Sequence, residues 1–523
     1  MGGVTTSSTA RPGTPALVPR GVAAGLGVLA VGAALGSAHL VAGVVSPTSS
    51  PFLAVGDTAI ALAPQWLVDV ATSAFGTADK PVLLAGMVVV LLLAAAAAGI
   101  ASRARTEPGT RVIIGLGLLG LAAVLFSPAF TPVGLLAPAV AAGTGVVVFR
   151  WLHAVALRSV LEPDASRRRL LVGSSGLVAS GALAATGLGQ LVGGRLTGSV
   201  ESVTALLRRA PLAERAPAIP AGAAFPEVGT PAFRTSNAEF YRIDTALRIP
   251  TQTAAEWSLR LHGMVDRELI LTFDDLLARP LLERTLTMVC VSNEVGGDYI
   301  STADFVGVDL REILLEAGIA PGADQLLSTS SDRLWTAGTP MDVLLEPDRG
   351  ALLAIGMNGE ALPPEHGFPV RMVVPGLYGY VSATKWVADL EVTTFDREQA
   401  YWLRRGWGER GPVKTQSRID TPRSGGTTRA GRVAVAGIAW SPPRGVSRVE
   451  VRVDGGAWFE AEAATEVSGD TWRMWRTTVD LAPGDHVVQV RATDTAGDTQ
   501  TERRADVVPD GATGYHSVAF TAT

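Results

Sequence analysis

Thr285-Leu-Thr-Met-Val-Cys-Val-Ser-Asn-Glu-Val-Gly-Gly-Asp-Tyr299 carries, at its middle, the only cysteine of a 523-residue chain. Leu286, Met288 and Cys290 alternate with Thr287 and Val289, the period-two pattern of a strand. Ser292-Asn-Glu-Val-Gly-Gly297 follows, and its paired glycines free the backbone to turn sharply. The stretch predicts a strand that delivers a thiol to the mouth of a loop. A thiolate so placed suits a metal, whereas a lone cysteine usually serves as a small buried hydrophobe. One cysteine also excludes an intramolecular disulfide. The rest of the chain has to decide between ligand and buried thiol.

Apolar residues make up 47% of the chain, unevenly distributed. Up to about Arg195, Ala, Gly, Val and Leu dominate; beyond it charges are frequent, so a membrane part precedes a soluble part. A net charge of −5 without a concentrated basic face argues against nucleic acid as a partner. Five apolar stretches, 21–45, 81–101, 112–127, 131–149 and 170–192, approach or reach the roughly 20 residues that span a bilayer. Arg11 and Arg20 precede the first. Arg103, Arg105 and Arg111 lie between the second and third, and Arg150, Arg158, Arg167, Arg168 and Arg169 between the fourth and fifth. Asp57, Asp69, Asp79 and Lys80 fall on the opposite side, so the positive-inside rule places the N-terminus in the cytoplasm. An odd number of spans then puts the soluble part outside it.

Ser166-Arg-Arg-Arg-Leu-Leu-Val172 has the form of a twin-arginine export signal, and equally of an ordinary positive-inside cluster. His39 and His153 lie within or at the ends of spans, but isolated polar residues there do not indicate a haem. The expected organisation is a cytoplasmic tail over 1–19, a transmembrane region over 20–195 and an Ala/Pro-rich linker over 196–235. An α+β domain over 236–410 and a β-sandwich over 411–523 complete it.

Within the soluble part, Trp257–Gly263 alternates as a strand, and Thr272 is placed to cap a short helix over Leu271–Leu277. Val308–Gly318 reads as an amphipathic helix stopped by its glycine, and Asn358-Gly359 as a turn. A second cluster suggests anion binding. Arg371 offers a bidentate fork, Lys385 a point charge, and Ser382 and Thr384 hydroxyls, with His366 five residues before Arg371. No Ser-His-Asp or zinc-ligand spacing supports a hydrolase. Beyond Gly411, Arg432–Trp440, Val449–Trp458, Thr471–Thr478 and His486–Ala492 alternate at period two, with Asp454-Gly455 as a hairpin turn.

Cys290-Val-Ser-Asn293, Ser301-Thr-Ala-Asp-Phe-Val-Gly-Val-Asp-Leu310, Met357-Asn-Gly-Glu-Ala-Leu-Pro363, His366-Gly-Phe-Pro-Val-Arg-Met-Val-Val-Pro-Gly376 and Thr384-Lys-Trp386 occur in order. On these motifs the chain resembles the sulfite oxidase family of molybdopterin-dependent oxidoreductases, from Asn237 to about Val518. The resemblance implies a molybdenum–molybdopterin cofactor with Cys290 as its protein thiolate, beside Ser292 and Asn293. It assigns His366, Arg371, Ser382, Thr384 and Lys385 to the pterin and its phosphate, with Asn237, Tyr241, Arg242 and Asp244 lining the pterin from the opening segment. Oxygen-atom transfer on a small oxo-substrate is the implied chemistry, with a quinone or cytochrome as electron partner. The resemblance also makes the sandwich an immunoglobulin-like domain that mediates homodimerisation; packing only against its own chain is the alternative.

Two departures bear on the substrate. Glu294-Val-Gly-Gly297 stands where sulfite-oxidising members carry basic residues, and Trp335 aligns with their active-site tyrosine. Arg333, if inward, partly restores positive charge; otherwise it is an exposed turn residue. A sulfoxide or other oxo-substrate reductase fed from the membrane, and a non-catalytic envelope protein keeping the fold, are the competing readings.

Overall fold

In a computed structural model of the chain, the described residues are 17–45, 49–64, 67, 70–71, 74–75, 78–161, 172–176, 178–179, 194–243 and 246–523. They fall into two compact units. One runs to Gly194 and takes in Ala246–Arg248; the other comprises Arg195–Thr245 and Ile249–Thr523.

Among the described residues, four helices of the first unit are long and apolar enough to cross a membrane: Arg20–Val45, Asp79–Ala101, Glu107–Leu125 and Pro132–Val160. The expected fifth stretch lies mostly outside the described residues, as do the arginines of the export-like run. The last helix does not end at Phe149 but continues to Leu161, carrying Arg150 and Arg158 along it, because arginine is itself a good helix former. A shorter helix, Pro51–Leu62, occupies a region where no span is expected.

Small residues let the first two long helices approach closely. A Cβ on Gly27 would lie 2.0 Å from the Ala95 carbonyl oxygen, and one on Gly99 2.0 Å from that of Ala23. Backbones packed this tightly exclude any larger side chain at the seam. Outward, Val90 and Leu93 are 65% and 66% exposed. His153 is buried, with Nε2 on the Ser102 carbonyl at 2.7 Å, a bond internal to this unit.

The second unit is built on two sheets and a sandwich. The first sheet orders Leu212–Glu214, Leu281–Val289, Ile300–Asp309, Leu352–Met357 and Arg371–Val373. Leu281–Val289 runs antiparallel to Ile300–Asp309 with Val289 opposite Ile300, so residues 290–299 form the connecting loop with Cys290 at its start. Leu352–Met357 joins Glu360–Ala361 through Asn358 and Gly359, both at positive φ (53° and 79°). The second sheet orders Leu269–Thr272, Ser258–Gly263, Val387–Thr393, Gln325–Ser330 and Thr336–Pro340.

Helix termini follow the sequence signals. Thr272 and Asp275 form a capping box on Phe273–Leu277. Asp309 caps Leu310–Ala317, whose Leu310, Ile313, Leu314 and Ala317 are buried, and Gly318 at φ +73° stops it.

The segment expected as a tether is part of this unit. Gly194–Leu207 is a helix whose Leu196, Val200, Val203 and Leu207 pack on the core, and Leu212–Glu214 pairs with Leu281–Leu282. The Ala/Pro-rich run begins only after Arg209; the residues before it carry an apolar stripe at helical spacing.

At the C-terminus, Gln416–Thr421, Gly431–Trp440, Arg473–Leu481 and Glu462–Ala463 form one sheet. Thr427–Thr428, His516–Ala522, Gly484–Asp494, Val446–Val453 and Phe459–Glu460 form the other. Val433, Val435 and Trp475 from the first meet Val449, Val451, Val488, Val490 and Phe520 from the second in one core. Ile438, Trp440, Trp472 and Met474 belong instead to the core of the preceding sheets, so the sandwich and those two sheets are joined by shared apolar packing.

Candidate active site

The loop after Val289 is held by its own side chains. The Cys290 N–H donates to the Tyr299 carbonyl at 3.0 Å, and the Asn293 N–H to the Cys290 carbonyl at 3.0 Å. The Asn293 carboxamide oxygen accepts the Tyr299 N–H at 2.8 Å, which closes the loop. Cys290 is half-buried, with Sγ 2.9 Å from the Ser292 hydroxyl. Burial raises the thiol above its ordinary pKa, opposed first by Ser292 and then by the charge of Lys385. Among the described residues no group of three His, Cys, Asp or Glu side chains is placed to hold a metal. A metal at Cys290 therefore needs a cofactor to supply further ligands.

Arg371 follows the turn that contains His366, and Gly367 lets that turn approach Lys385. At φ +112°, a Cβ on Gly367 would sit 3.0 Å from Cβ of Arg371 and 3.1 Å from Cα of Lys385. Arg371 is 3% exposed, donates from Nη1 to the His366 carbonyl at 3.1 Å, and stands over the Phe305 ring at 5.7 Å. Burial pulls its guanidinium down to about 10, with Tyr241 opposing. His366 is buried, with Nε2 3.0 Å from the Asn237 carbonyl. A carbonyl only accepts, so Nε2 carries the proton and Nδ1 is left as an acceptor. Burial, then Arg371 and Lys385, holds this imidazole at about 4, hence neutral. Lys385 donates to the Glu365 carbonyl at 2.9 Å and lies 5.5 Å from the Trp386 ring centroid.

Tyr241 joins the two halves. Burial and the nearby Cys290 raise its hydroxyl above the usual range, while Arg371 opposes, so the hydroxyl stays protonated. Its ring stacks on Phe240 at 5.4 Å, and Phe240 meets His366 edge-on at 5.4 Å.

Several expected residues have other duties. Ser382 donates to the Leu377 and Tyr378 carbonyls at 3.1 and 3.0 Å, and Thr384 shares a 2.7 Å bond with Ser328. Both hydroxyls shape the loop from within instead of lying free for an anion. The Asn237 carboxamide oxygen accepts from Asn358 at 2.8 Å. Arg242 is exposed, and its charge adds to the depression of His366. Asp244 lies outside the described residues. Trp335 packs among Tyr401 and Trp402 with ring centroids at 5.7 and 6.0 Å. Arg333 is an exposed residue at φ +57°, in the turn that the alternative reading describes. Sequence reasoning missed Phe240, Phe305, Arg418 and His516. The first two look like ordinary core residues in sequence, and the last two lie in the sandwich, far along the chain.

The pterin cofactor finds a matching need in these residues. Nε of Arg371 and Nδ1 of His366 are buried and unpartnered, and among the described residues no carboxylate pairs with Arg371. A buried cation lacking an anion and a buried acceptor lacking a donor are both costly. A phosphate and a heterocyclic N–H are groups that would satisfy them.

Residues 246–402 match the oxidoreductase molybdopterin binding domain family. The mitochondrial sulfite oxidase of Macaca fascicularis is 31% identical over 317 residues, covering 51% of this chain and 56% of that protein. The uncharacterized oxidoreductase YuiH of Bacillus subtilis (strain 168) is 34% identical over 156 residues, covering 30% of this chain and 74% of that protein. A crystal structure of the sulfane dehydrogenase SoxCD from Paracoccus pantotrophus aligns with TM-score 0.48 and 24% identity, over 58% of this chain and 85% of that one. The chain spans little more than half the length of the first sulfite oxidases it matches, 56% and 54%. With the Cys290 loop and the His366–Arg371 turn within the matched domain, the chain belongs to the sulfite oxidase family of molybdopterin-dependent oxidoreductases, whose cofactor is molybdenum held by molybdopterin.

Proposed function

We propose that this protein is a membrane-anchored molybdenum oxidoreductase that catalyses two-electron oxygen-atom transfer on a small substrate outside the cytoplasm. The observation that carries the reading is the uncompensated Arg371, buried beside the unpartnered Nδ1 of His366. When bound, the molybdenum–pterin group supplies the oxygen-atom exchange and stores the two electrons.

The chain's own residues bind and orient. Arg371 and Lys385 hold the phosphate, the first as a fork and the second as a point charge. His366, neutral and fixed by Asn237, accepts an N–H at Nδ1. Cys290 would present its sulfur as the protein ligand, and its thiol, kept protonated by burial, would have to give up its proton to serve as a thiolate. The Ser292 hydroxyl beside Sγ then donates to the thiolate and tunes it. Tyr241 offers a protonated hydroxyl between the thiol and the cation. Ser382 and Thr384 contribute by holding the loop.

Glu294 is exposed on the loop after Asn293, where sulfite-oxidising members carry basic residues. This favours a second reading within the same chemistry, in which an uncharged oxo-substrate such as a sulfoxide is reduced with electrons from the membrane. The sandwich is read as immunoglobulin-like and as a homodimer surface. Arg103 and Arg105, between two apolar helices, and Arg111, in the first turns of the second, support a cytoplasmic N-terminus.

The test is a screen of the molybdenum-loaded full chain with sulfite, sulfoxides, N-oxides and nitrate. Turnover of one of them supports oxygen-atom transfer; inertness toward all with the cofactor in place contradicts it. A reporter fused after Val192 checks the topology, and a cytoplasmic signal would overturn it.

A further inference from the structure

The sandwich grips the chain on both sides of Cys290. Upstream, the Thr287 N–H donates to the Asp470 carbonyl at 2.9 Å, and the Thr287 hydroxyl accepts the Trp472 N–H at 2.7 Å. Downstream, Arg418, in the strand Gln416–Thr421, donates from Nη1 to the Gly297 carbonyl at 2.8 Å and to the Asp298 carboxylate at 3.1 Å. Its Nε donates to Asp420 at 2.8 Å, which fixes the fork. The Arg418 side chain is 10% exposed, whereas that of its partner Asp298 is 95% exposed. A buried guanidinium thus reaches from the sandwich to a turn whose Glu294 and Asp298 are exposed and whose Val295, Gly296 and Gly297 are half-buried.

His516 backs the same turn. The Ile419 N–H donates to its Nδ1 at 2.9 Å, so the ring proton sits on Nε2. The Nε2 edge faces Gly296: a Cβ at that position would lie 2.3 Å from both Nε2 and Cδ2. Gly296 also holds φ +83°, so a glycine is required there twice over. Within the turn itself, the Gly297 N–H bond to the Glu294 carbonyl at 2.9 Å is a single backbone bond at a solvent-facing tip. The contacts from Arg418 and His516 are therefore the main external hold on the segment that follows Asn293.

We propose that Arg418, backed by His516, is a positioning residue that fixes the 294–298 turn and so the presentation of Cys290. The sandwich is then part of the catalytic unit as well as a neighbouring domain. This rests on the reading of the 290–299 loop as the active-site loop. It assigns to the turn that distinguishes this chain from the sulfite oxidisers a built partner on a different strand, 121 residues away for Gly297.

Because Cys290 is the only cysteine, its alkylation rate reads the loop without any turnover. The full chain, produced without molybdate and purified in detergent, is treated with iodoacetamide. Arg418→Ala is expected to raise the rate about tenfold through local opening of the loop, with Arg418→Lys between it and the unmodified chain. Arg418→Ala strands the buried Asp420, so the Arg418→Ala, Asp420→Asn double variant removes both charges and serves if the single change does not fold. Arg452→Ala, which breaks a sandwich ion pair with Glu502, is expected to leave the rate unchanged. A folded Arg418→Ala or double variant that labels at the unmodified rate would overturn the proposal. So would equal acceleration by Arg452→Ala, which would report general loosening. Lack of molybdenum in the loaded chain would sink the proposed function and leave this comparison intact.

Discussion

Arg371 donates from Nη1 to the carbonyl of His366 at 3.1 Å, while Nε of the arginine and Nδ1 of the histidine both stay buried without a partner. One bond thus ties the arginine side chain to the histidine's backbone, and each of the two side chains keeps one buried polar atom unmet. A fold that buries such groups without an internal answer is arranged around something that it binds.

Arg371→Met tests that arrangement with opposite signs in two states. The metal-free chain is expected to be at least as stable as the unmodified one, because a buried uncompensated cation is replaced by an apolar side chain of similar length. Its retained pterin and molybdenum are expected to fall by about tenfold or more. Melting of the metal-free chain and cofactor content of the loaded chain check the two halves separately.

Stability is expected to fall in mild acid. His366 and His516 are each held at about 4, below the ordinary 6.5. Their neutral forms stabilise the fold fully above pH 6.5, and that contribution is lost as the pH drops toward 4, where the unfolded chain binds the protons more readily. Each histidine contributes about 1–3 kcal/mol over that window. Asp470, pushed up to about 6 by burial, acts in the opposite sense between 3.8 and 6 and partly offsets the loss. Melting curves from pH 7 to pH 4.5 should steepen downward with acid, and His516→Asn should flatten the slope.

The helix seam of the first unit tolerates no side chain beyond hydrogen at Gly27 or Gly99, since the obstacle in each case is a carbonyl oxygen. Gly27→Leu is expected to destabilise that unit by about 1–3 kcal/mol, because the two helices must separate to admit the side chain and lose that packing. Helical circular dichroism of the full chain in detergent should show an earlier transition; an unshifted one would contradict the close approach.

What could be read from sequence was the local and the periodic. Leu310–Ala317 announced itself through its stripe and its glycine stop, and Asn358-Gly359 and Asp454-Gly455 through turn chemistry. Cys290 and the His366–Arg371–Lys385 cluster were legible as residue types in a recognisable order. Their joint burial was not, because Phe305 and Phe240 arrive from other segments. The helix Gly194–Leu207, with one alanine and no proline, was lost because the whole segment was read by the Ala/Pro-rich run that begins only after Arg209. Ser382 and Thr384 looked like free donors because sequence does not reveal which carbonyl or hydroxyl lies next to them. Arg418 gave no signal, since an arginine in an alternating strand normally faces water.

The central claim is that Cys290 is the protein's ligand to molybdenum. X-ray absorption at the molybdenum edge, on the loaded full chain and on Cys290→Ser at equal molybdenum content, tests it most directly. The variant is expected to lose one sulfur neighbour from the metal's coordination shell while keeping the pterin; an unchanged sulfur shell would rule out Cys290 as the ligand.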